Sequence, residues 1–289
     1  MILVINNNIQ TSLAIKCYKY ILKNCIFKAQ MKYILYLILC LNALGFSQTS
    51  LTANLVKSTP VEWDGFVGVD AFESFYFLES NTLFKKNSQG IQNYSNLNRG
   101  IMSQVSVFNA LKLALFYKDF NSVTLLDNRL SDLITIDFNS LNPLRTLSHI
   151  SYGNDTTFWL FDSNSMELEL FDYNTSKTRI KTVPFQNEIL DLDSDYNYCW
   201  VLTETELQCY NYTGSLISKL PQEGFTDIRL WNGIVFLKKE NRIYYKPKDS
   251  NVFLLFNLPK ILVKQFFVTN QTLYIYDEEF LHHYQLINN

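Results

Sequence analysis

The sequence is poor in the residues that define several special classes of protein. It has five cysteines, nine glycines and six prolines among 289 residues. So few glycines and prolines exclude collagen-like repeats and Pro/Gly-rich disorder. They also imply that turns use Asn, Asp and Ser, whose side chains hydrogen-bond to the nearby backbone. Cys17, Cys25 and Cys40 fall within the first 48 residues, which leaves too few cysteines elsewhere for a disulfide framework.

Two cysteines, Cys199 and Cys209, lie beyond residue 48, on successive strands of a predicted hairpin. Because both positions are odd, we expect both side chains on the same face of the sheet. One interpretation is a cross-strand disulfide in an oxidising compartment. The other is a pair of small buried thiols, which we favour because directly opposed strand pairs seldom meet disulfide geometry.

The motifs of common enzyme classes are also missing. His149, His282 and His283 stand outside any zinc-site spacing, and the adjacent His282 and His283 should face opposite sides of one strand. The sequence contains no nucleophile elbow, no phosphate-binding glycine loop and no dinucleotide fingerprint. These absences leave no sequence motif on which a catalytic mechanism could be built.

Charge is unevenly distributed along the chain. Residues 1–48 hold five of the 25 basic residues and none of the 27 acidic ones, so the remainder has 20 against 27, a balance of −7. No run of Lys and Arg is longer than two. An acidic body without a basic run disfavours a nucleic-acid partner, because phosphate binding needs a basic face.

The N-terminal region is predicted to be a targeting sequence. Met31 and Lys32 precede an apolar stretch of 13 residues that ends just before Phe46-Ser47-Gln48, as in a secretory signal peptide. We therefore predict a signal peptide at residues 31–48 and a mature domain at residues 49–289. This assignment places the protein in the periplasm or outside the cell, with no stable membrane span after processing.

Residues 1–30 are interpreted as a spurious extension ahead of a true start at Met31. A genuine longer n-region is the alternative. A membrane anchor is a weaker interpretation of the apolar stretch, which is short for a span. A lipid anchor at Cys40 would need a small residue where Leu39 stands.

The most informative positive feature is a repeat. Six units follow residue 60, each with an apolar strand, an aromatic-rich strand and further short strands separated by polar turns. Comparable first-strand positions are spaced by 39, 42, 42, 38 and 36 residues; they are Phe66, Val105, Leu147, Ile189, Asp227 and Val263. A period near 40 with about four strands per unit predicts an all-β fold, a β-propeller of six four-stranded blades. Seven blades and a two-layer sandwich are the alternatives, and the single Trp63-Asp64 does not support a WD40 protein.

The ends of the repeat predict how the ring closes. The sixth unit has three clear strands, and the segment 51–57 precedes the first unit without a partner of its own. A propeller with unclosed ends would expose unpaired strand edges. We therefore expect residues 51–57 to form the outer strand of the last blade. Trp159 and Trp200, at equivalent second-strand positions, should be buried between blades.

The chain resembles a family of uncharacterised exported β-propeller proteins of flavobacteria. The resemblance rests on Phe66-Val-Gly-Val-Asp70, Tyr94-Ser-Asn96 and Phe116–Asn121 followed by Leu125–Asn128. It implies a propeller and export, and it brings no activity and no site residues.

One segment has the composition of a weak calcium site. Asp191, Asp193 and Asp195 place carboxylates at alternate positions ahead of Asn197, and calcium favours several oxygen ligands. No glycine and no closing glutamate complete the pattern, so the same residues can serve as ordinary turn residues between the first and second strands. No other cofactor is predicted.

Together these features predict an exported, non-catalytic propeller that binds a protein or an envelope glycan. The alternative is a carbohydrate-active hydrolase or lyase with its site at the mouth of the central channel. The two differ in what the mouth should contain. An enzyme should bring charged or histidine side chains together there, whereas a binding module should present scattered polar loops and an aromatic patch.

Overall fold

A computed structural model describes Lys32 and residues 51–269 and 271–288. Apart from Lys32, the predicted N-terminal extension and signal peptide lie outside the described residues. Among the described residues, no helix has the length and apolar character needed to cross a membrane.

The described chain forms six antiparallel sheets of four strands each, which we number as blades 1 to 6. Strand β1 (Leu51–Pro60) precedes blade 1, which contains β2 (Gly65–Val69), β3 (Phe75–Glu79), β4 (Thr82–Asn87) and β5 (Gly90–Tyr94). Blade 2 contains β6 (Gln104–Ser106), β7 (Lys112–Tyr117), β8 (Ser122–Asp127) and β9 (Asp132–Asp137). Blade 3 contains β10 (Leu147–Tyr152), β11 (Thr157–Asp162), β12 (Glu167–Asp172) and β13 (Lys177–Lys181). Blade 4 contains β14 (Ile189–Ser194), β15 (Tyr198–Thr203), β16 (Glu206–Asn211) and β17 (Leu216–Pro221). Blade 5 contains β18 (Asp227–Trp231), β19 (Ile234–Lys239), β20 (Arg242–Lys246) and β21 (Leu254–Leu255). Blade 6 contains β22 (Gln265–Thr269), β23 (Thr272–Tyr276) and β24 (Phe280–Asn288). Two short 3₁₀ helices, Leu97–Arg99 and Phe138–Ser140, lie between blades.

The blades form a ring, which confirms the six-bladed propeller. The fourth strand of blade 6 is β1, in the sheet order β1-β24-β23-β22. The pairing runs from Leu51 opposite Asn288 to Pro60 opposite Phe280, with a bulge between Leu55 and Lys57. The predicted closure by residues 51–57 is therefore confirmed, and the closing strand extends further, to Pro60.

The turns use the polar residues that the scarcity of glycine and proline implied. Asp70 Oδ1 accepts hydrogen bonds from the backbone N–H groups of Phe72 and Ser74. Asp127 Oδ1 accepts from Arg129 and Ser131 in the same way. Because these carboxylates take the N–H groups that a tight turn leaves unpaired, they set the chain reversals between strands.

The core lies between adjacent blades, where flat sheets pack face to face. Trp159 is fully buried and contributes to the cluster between blades 3 and 4, while Trp200 is 9% exposed and belongs to the cluster between blades 4 and 5. Both tryptophans were predicted to be buried, and both predictions are confirmed. The tight packing of these second strands explains their nearly continuous apolar sequences.

The predicted common face of Cys199 and Cys209 is wrong. In the β15–β16 pair, Cys199 lies opposite Tyr210 and Trp200 lies opposite Cys209. Directly opposed residues share a face, so an odd position on one strand shares its face with an even position on the other. The cysteines therefore point into different inter-blade clusters. Both are buried free thiols, and burial raises the pKa of the Cys199 thiol well above its usual value.

Candidate functional site

The six innermost strands surround a central channel with a cavity volume of about 300 Å³. Each of β2, β6, β10, β14, β18 and β22 contributes residues to its wall. The wall continues to the loops that follow these strands, at Ala71, Phe108, Asp195 and Asn232. We call this end of the ring the mouth. The volume is at the small end of the range for ligand pockets.

Side chains of the innermost strands form hydrogen bonds between neighbouring blades. Asp193 Oδ2 accepts a hydrogen bond from the backbone N–H of Leu230 at 2.8 Å, which links blade 4 to blade 5. Asp191 Oδ2 accepts from the backbone N–H of Ile228 at 3.1 Å and from Arg229 Nη1 at 2.9 Å. These acceptors satisfy N–H groups on the free edge of an innermost strand, which would otherwise be left without a partner.

Glutamine side chains likewise accept backbone hydrogen bonds from the next blade at two other junctions. Gln104 Oε1 accepts from the backbone N–H of Ile150 at 3.1 Å, between blades 2 and 3. Gln265 Oε1 accepts from the backbone N–H of Phe66 at 2.6 Å, between blades 6 and 1. This role was not predicted from the sequence. The signal that could have found it is a carboxamide or carboxylate within an otherwise apolar first strand.

The three aspartates of the calcium prediction do not share one turn. Asp191 and Asp193 lie on strand β14, and only Asp195 lies in the turn that follows. Asp195 Oδ1 accepts from the backbone N–H groups of Asn197 and Tyr198. Within residues 51–269 and 271–288, no group of three or more His, Cys, Asp or Glu side chains is arranged to hold a metal ion. Calcium binding by this set stays a prediction.

Asp193 and Arg229 dominate the electrostatics of the channel. Burial raises the pKa of Asp193 to about 6, although the Arg229 guanidinium and the Leu230 N–H oppose that rise. Burial alone would lower the pKa of Arg229, but Asp191 and Asp193 more than reverse this and raise it. Asp193 therefore keeps its proton to a higher pH than an ordinary aspartate.

We expect Asp193 to make the native state relatively less stable as the pH rises from 4 to 7. The native state keeps this proton up to about pH 6, whereas the unfolded chain loses it near the ordinary value of 3.8. Over that interval the native state binds more protons, so the free energy of unfolding falls with rising pH, by about 1–3 kcal/mol in total for this one group.

The measurement is urea unfolding of the wild type and Asp193→Asn at several pH values between 4 and 7.5. Asp193→Asn replaces one carboxylate oxygen, a hydrogen-bond acceptor, by an NH2 group and should lower the free energy of unfolding at every pH. The informative quantity is therefore the difference in that free energy between the wild type and the variant. The wild type should lose its advantage over Asp193→Asn as the pH rises. Parallel curves would show that Asp193 does not titrate in this range.

Aromatic side chains stand exposed around the mouth. The rings of Phe108 in blade 2 and Tyr196 in blade 4 lie 4.8 Å apart between centroids, and they are 38% and 62% exposed. Phe72, in the turn after β2, is 66% exposed, and Tyr198, the first residue of β15, is 40% exposed. We use the name aromatic patch for these four exposed rings, Phe72, Phe108, Tyr196 and Tyr198, of which Phe108 and Tyr196 contact each other.

The histidines do not contribute to the channel wall. His149 lies beside Ser148, with its Nδ1 at 3.0 Å from Ser148 Oγ, and burial lowers the pKa of His149. His282 Nε2 lies 2.8 Å from Asp277 Oδ2, whereas His283 stacks on Phe75. The opposite orientation predicted for His282 and His283 agrees with these separate partners.

Comparison with known proteins identifies the fold and nothing finer. No protein-family model matches the chain, and no curated protein matches it. Among solved structures, the chain is similar to virginiamycin B lyase from Staphylococcus aureus, with 12% identity, a TM-score of 0.55 and coverage of 82% of this chain and 100% of that one.

Two further solved structures show the same similarity. A streptogramin B lyase has 10% identity and a TM-score of 0.53, over 82% of this chain and 98% of its own. BamB from Moraxella catarrhalis has 12% identity and a TM-score of 0.52, over 81% of this chain and 100% of its own. At such low identity these similarities establish the propeller fold alone.

Proposed function

We propose that this protein is an exported, non-catalytic β-propeller that binds a protein or an envelope component at its channel mouth. The observation that carries the proposal is the contrast between the charged and the aromatic side chains there. Asp191 and Asp193 are occupied by donors from the next blade, and Asp195 by its own turn. The aromatic patch has no such internal use and remains exposed.

Exposed aromatic rings on rigid loops suit a binding role. Tyr and Phe supply a large contact area at little conformational cost and are enriched at protein interfaces. A closed ring holds its loops in fixed positions, so little order is lost when a partner docks. Export is supported by the predicted signal peptide at residues 31–48, and the resemblance to exported flavobacterial propellers is part of the same proposal.

Site-specific photo-crosslinking in the native organism tests this function. A benzoylphenylalanine placed at Tyr196 or Phe72 should give discrete crosslinked products that mass spectrometry identifies. The matched control is Leu216 on the outer strand β17, which is 49% exposed and outside the patch. Equal crosslinking at all three positions, or none at the patch, would contradict a docking role for the mouth.

The second candidate is a hydrolase or lyase that acts on carbohydrate at the mouth. One observation favours it, the pKa of about 6 for Asp193 in the channel wall, because a general acid or base works best when its pKa lies near the operating pH. If this second candidate is correct, a carbohydrate-cleaving activity should be lost in Asp193→Asn while the crosslinks at Tyr196 persist. Crosslinks without any activity on oligosaccharides favour the binding module.

A further inference from the structure

A second concave site lies at the junction of blades 6 and 1, away from the channel. Its cavity volume is about 1040 Å³, and it is lined by parts of β1, β3, β4 and β24 and by the adjoining turns. We call it the closure groove. Fewer buried apolar residues lie at this junction than at the other junctions between blades. Five buried apolar residues form its cluster, whereas the clusters of the other junctions contain nine to thirteen.

Flat rings form the apolar part of the groove. Phe75 and His283 stack at 5.7 Å between centroids with an interplanar angle of 26°. Trp63 stacks on Phe77 at 4.3 Å and 12°. Burial lowers the pKa of His283, as do the nearby Lys57 and His282, so the imidazole is neutral at pH 7. The groove therefore offers two uncharged ring platforms, one at Trp63 and one at Phe75–His283.

Polar side chains of both signs surround these platforms. Glu62, Glu73, Lys57 and Lys86 line the groove and are exposed. None of these four forms an ion pair with another described residue. Glu278 and Glu279 also line the groove, and Glu278 pairs with Lys264. Carboxylates therefore outnumber ammonium groups, and the groove offers both hydrogen-bond acceptors and donors.

The groove presents the sheet faces of β3 and β24 and the turns beside them. Strands β3 and β24 are each paired on both sides within their sheets. Recognition of an extended peptide by strand addition needs an unpaired edge. Of the strands that line the groove, β1 alone is an outer strand with an unpaired edge, so a ligand on the faces of β3 and β24 is held by side chains. Flat rings beside exposed polar groups favour a molecule with flat apolar faces and many hydroxyl groups.

We propose that the closure groove binds an oligosaccharide, with sugar rings on the Trp63 and Phe75–His283 platforms. The hydroxyl groups of the sugar donate to Glu62 and Glu73 and accept from Lys57 and Lys86. The volume is at the upper end for ligand sites and accommodates more than one sugar ring. This inference deepens the proposed binding function, on which it rests, by naming an envelope glycan as one ligand class.

The test is calorimetric titration of the full protein with cellotetraose, mannotetraose and chitotetraose. At least one tetrasaccharide should bind. Trp63→Ala should weaken that binding about tenfold, because a stacked ring is lost, while Trp63→Phe keeps a ring and should retain most of it. Glu73→Gln and Lys86→Ala, at exposed positions, should each weaken it a few-fold. The control is Phe120→Ala, which removes a more exposed ring, 50% exposed, from blade 2 and should leave the affinity unchanged.

Failure to bind any of the three sugars overturns the proposal. So does binding that survives Trp63→Ala, or binding that Phe120→Ala weakens equally. If Trp63→Ala does not fold, the exposed variants Glu73→Gln and Lys86→Ala decide, since unchanged affinity in both would also overturn it. Crosslinking at Tyr196 tests the mouth separately, so a negative titration with persistent crosslinks rejects the groove and leaves protein docking intact.

Discussion

Deletion of residues 51–60 is expected to destabilise the protein by on the order of 5 kcal/mol or to prevent it from folding. The deletion removes the whole pairing of β1 with β24, from Leu51 opposite Asn288 to Pro60 opposite Phe280. It also removes the hydrogen bond from the Leu51 N–H to Tyr245 Oη at 3.0 Å, which ties the strand to blade 5. Lost ladder bonds and newly exposed apolar surface together account for an effect of this size.

A circular permutant supplies the matched control. Because Leu51 lies opposite Asn288, residues 51–60 can be attached after residue 289 through a tight turn, with the chain starting at residue 61. The same strand then pairs in the same register, and the thermal midpoint should return close to that of the wild type. A deletion that melts like the wild type would contradict closure by β1.

Trp159→Ala is expected to lower the free energy of unfolding by about 3–5 kcal/mol, the usual loss for a large buried ring. The indole is fully buried among residues of blades 3 and 4, including Cys199 and Val201. Its centroid lies 5.4 Å from that of Tyr212. Truncation leaves a cavity between two sheets that are each held by their own hydrogen bonds and cannot close around it.

The free energy of unfolding is measured by urea unfolding, and two further variants serve as comparisons. Trp159→Phe keeps an aromatic ring in the space between the two blades and should cost clearly less than Trp159→Ala. Tyr196→Ala removes an exposed ring and should leave stability within about 0.5 kcal/mol. A Trp159→Ala protein as stable as Tyr196→Ala would argue that the ring serves a ligand rather than the core.

The sequence predicted the parts of this fold that depend on spacing. A repeat near 40 residues gave the six blades, the unpaired segment 51–57 gave the closure, and the apolar surroundings of Trp159 gave its burial. These features follow from which residues are apolar and how far apart they stand, which is visible in one dimension.

The sequence could not predict what depends on register and on neighbouring blades. The facing of Cys199 and Cys209 is set by the pairing of Leu202 with Leu207. The strands are joined by a two-residue connection, 204–205, and the parity of that connection decides the faces. Asp191 and Asp193 have the composition of turn residues, but the next blade supplies N–H donors that keep them on a strand. The closure groove is invisible in sequence because its walls come from opposite ends of the chain.

The closing strand also sets an order of events during synthesis. β1 is among the first described segments to be made, and its partner β24 is the last. Until β24 arrives, the earliest strand has no edge to join, and blade 6 cannot form. Contacts between such distant segments slow folding, and an unpaired strand is prone to join the wrong partner. A propeller closed in this way must therefore keep its first strand from pairing with the wrong partner until its last strand has been made.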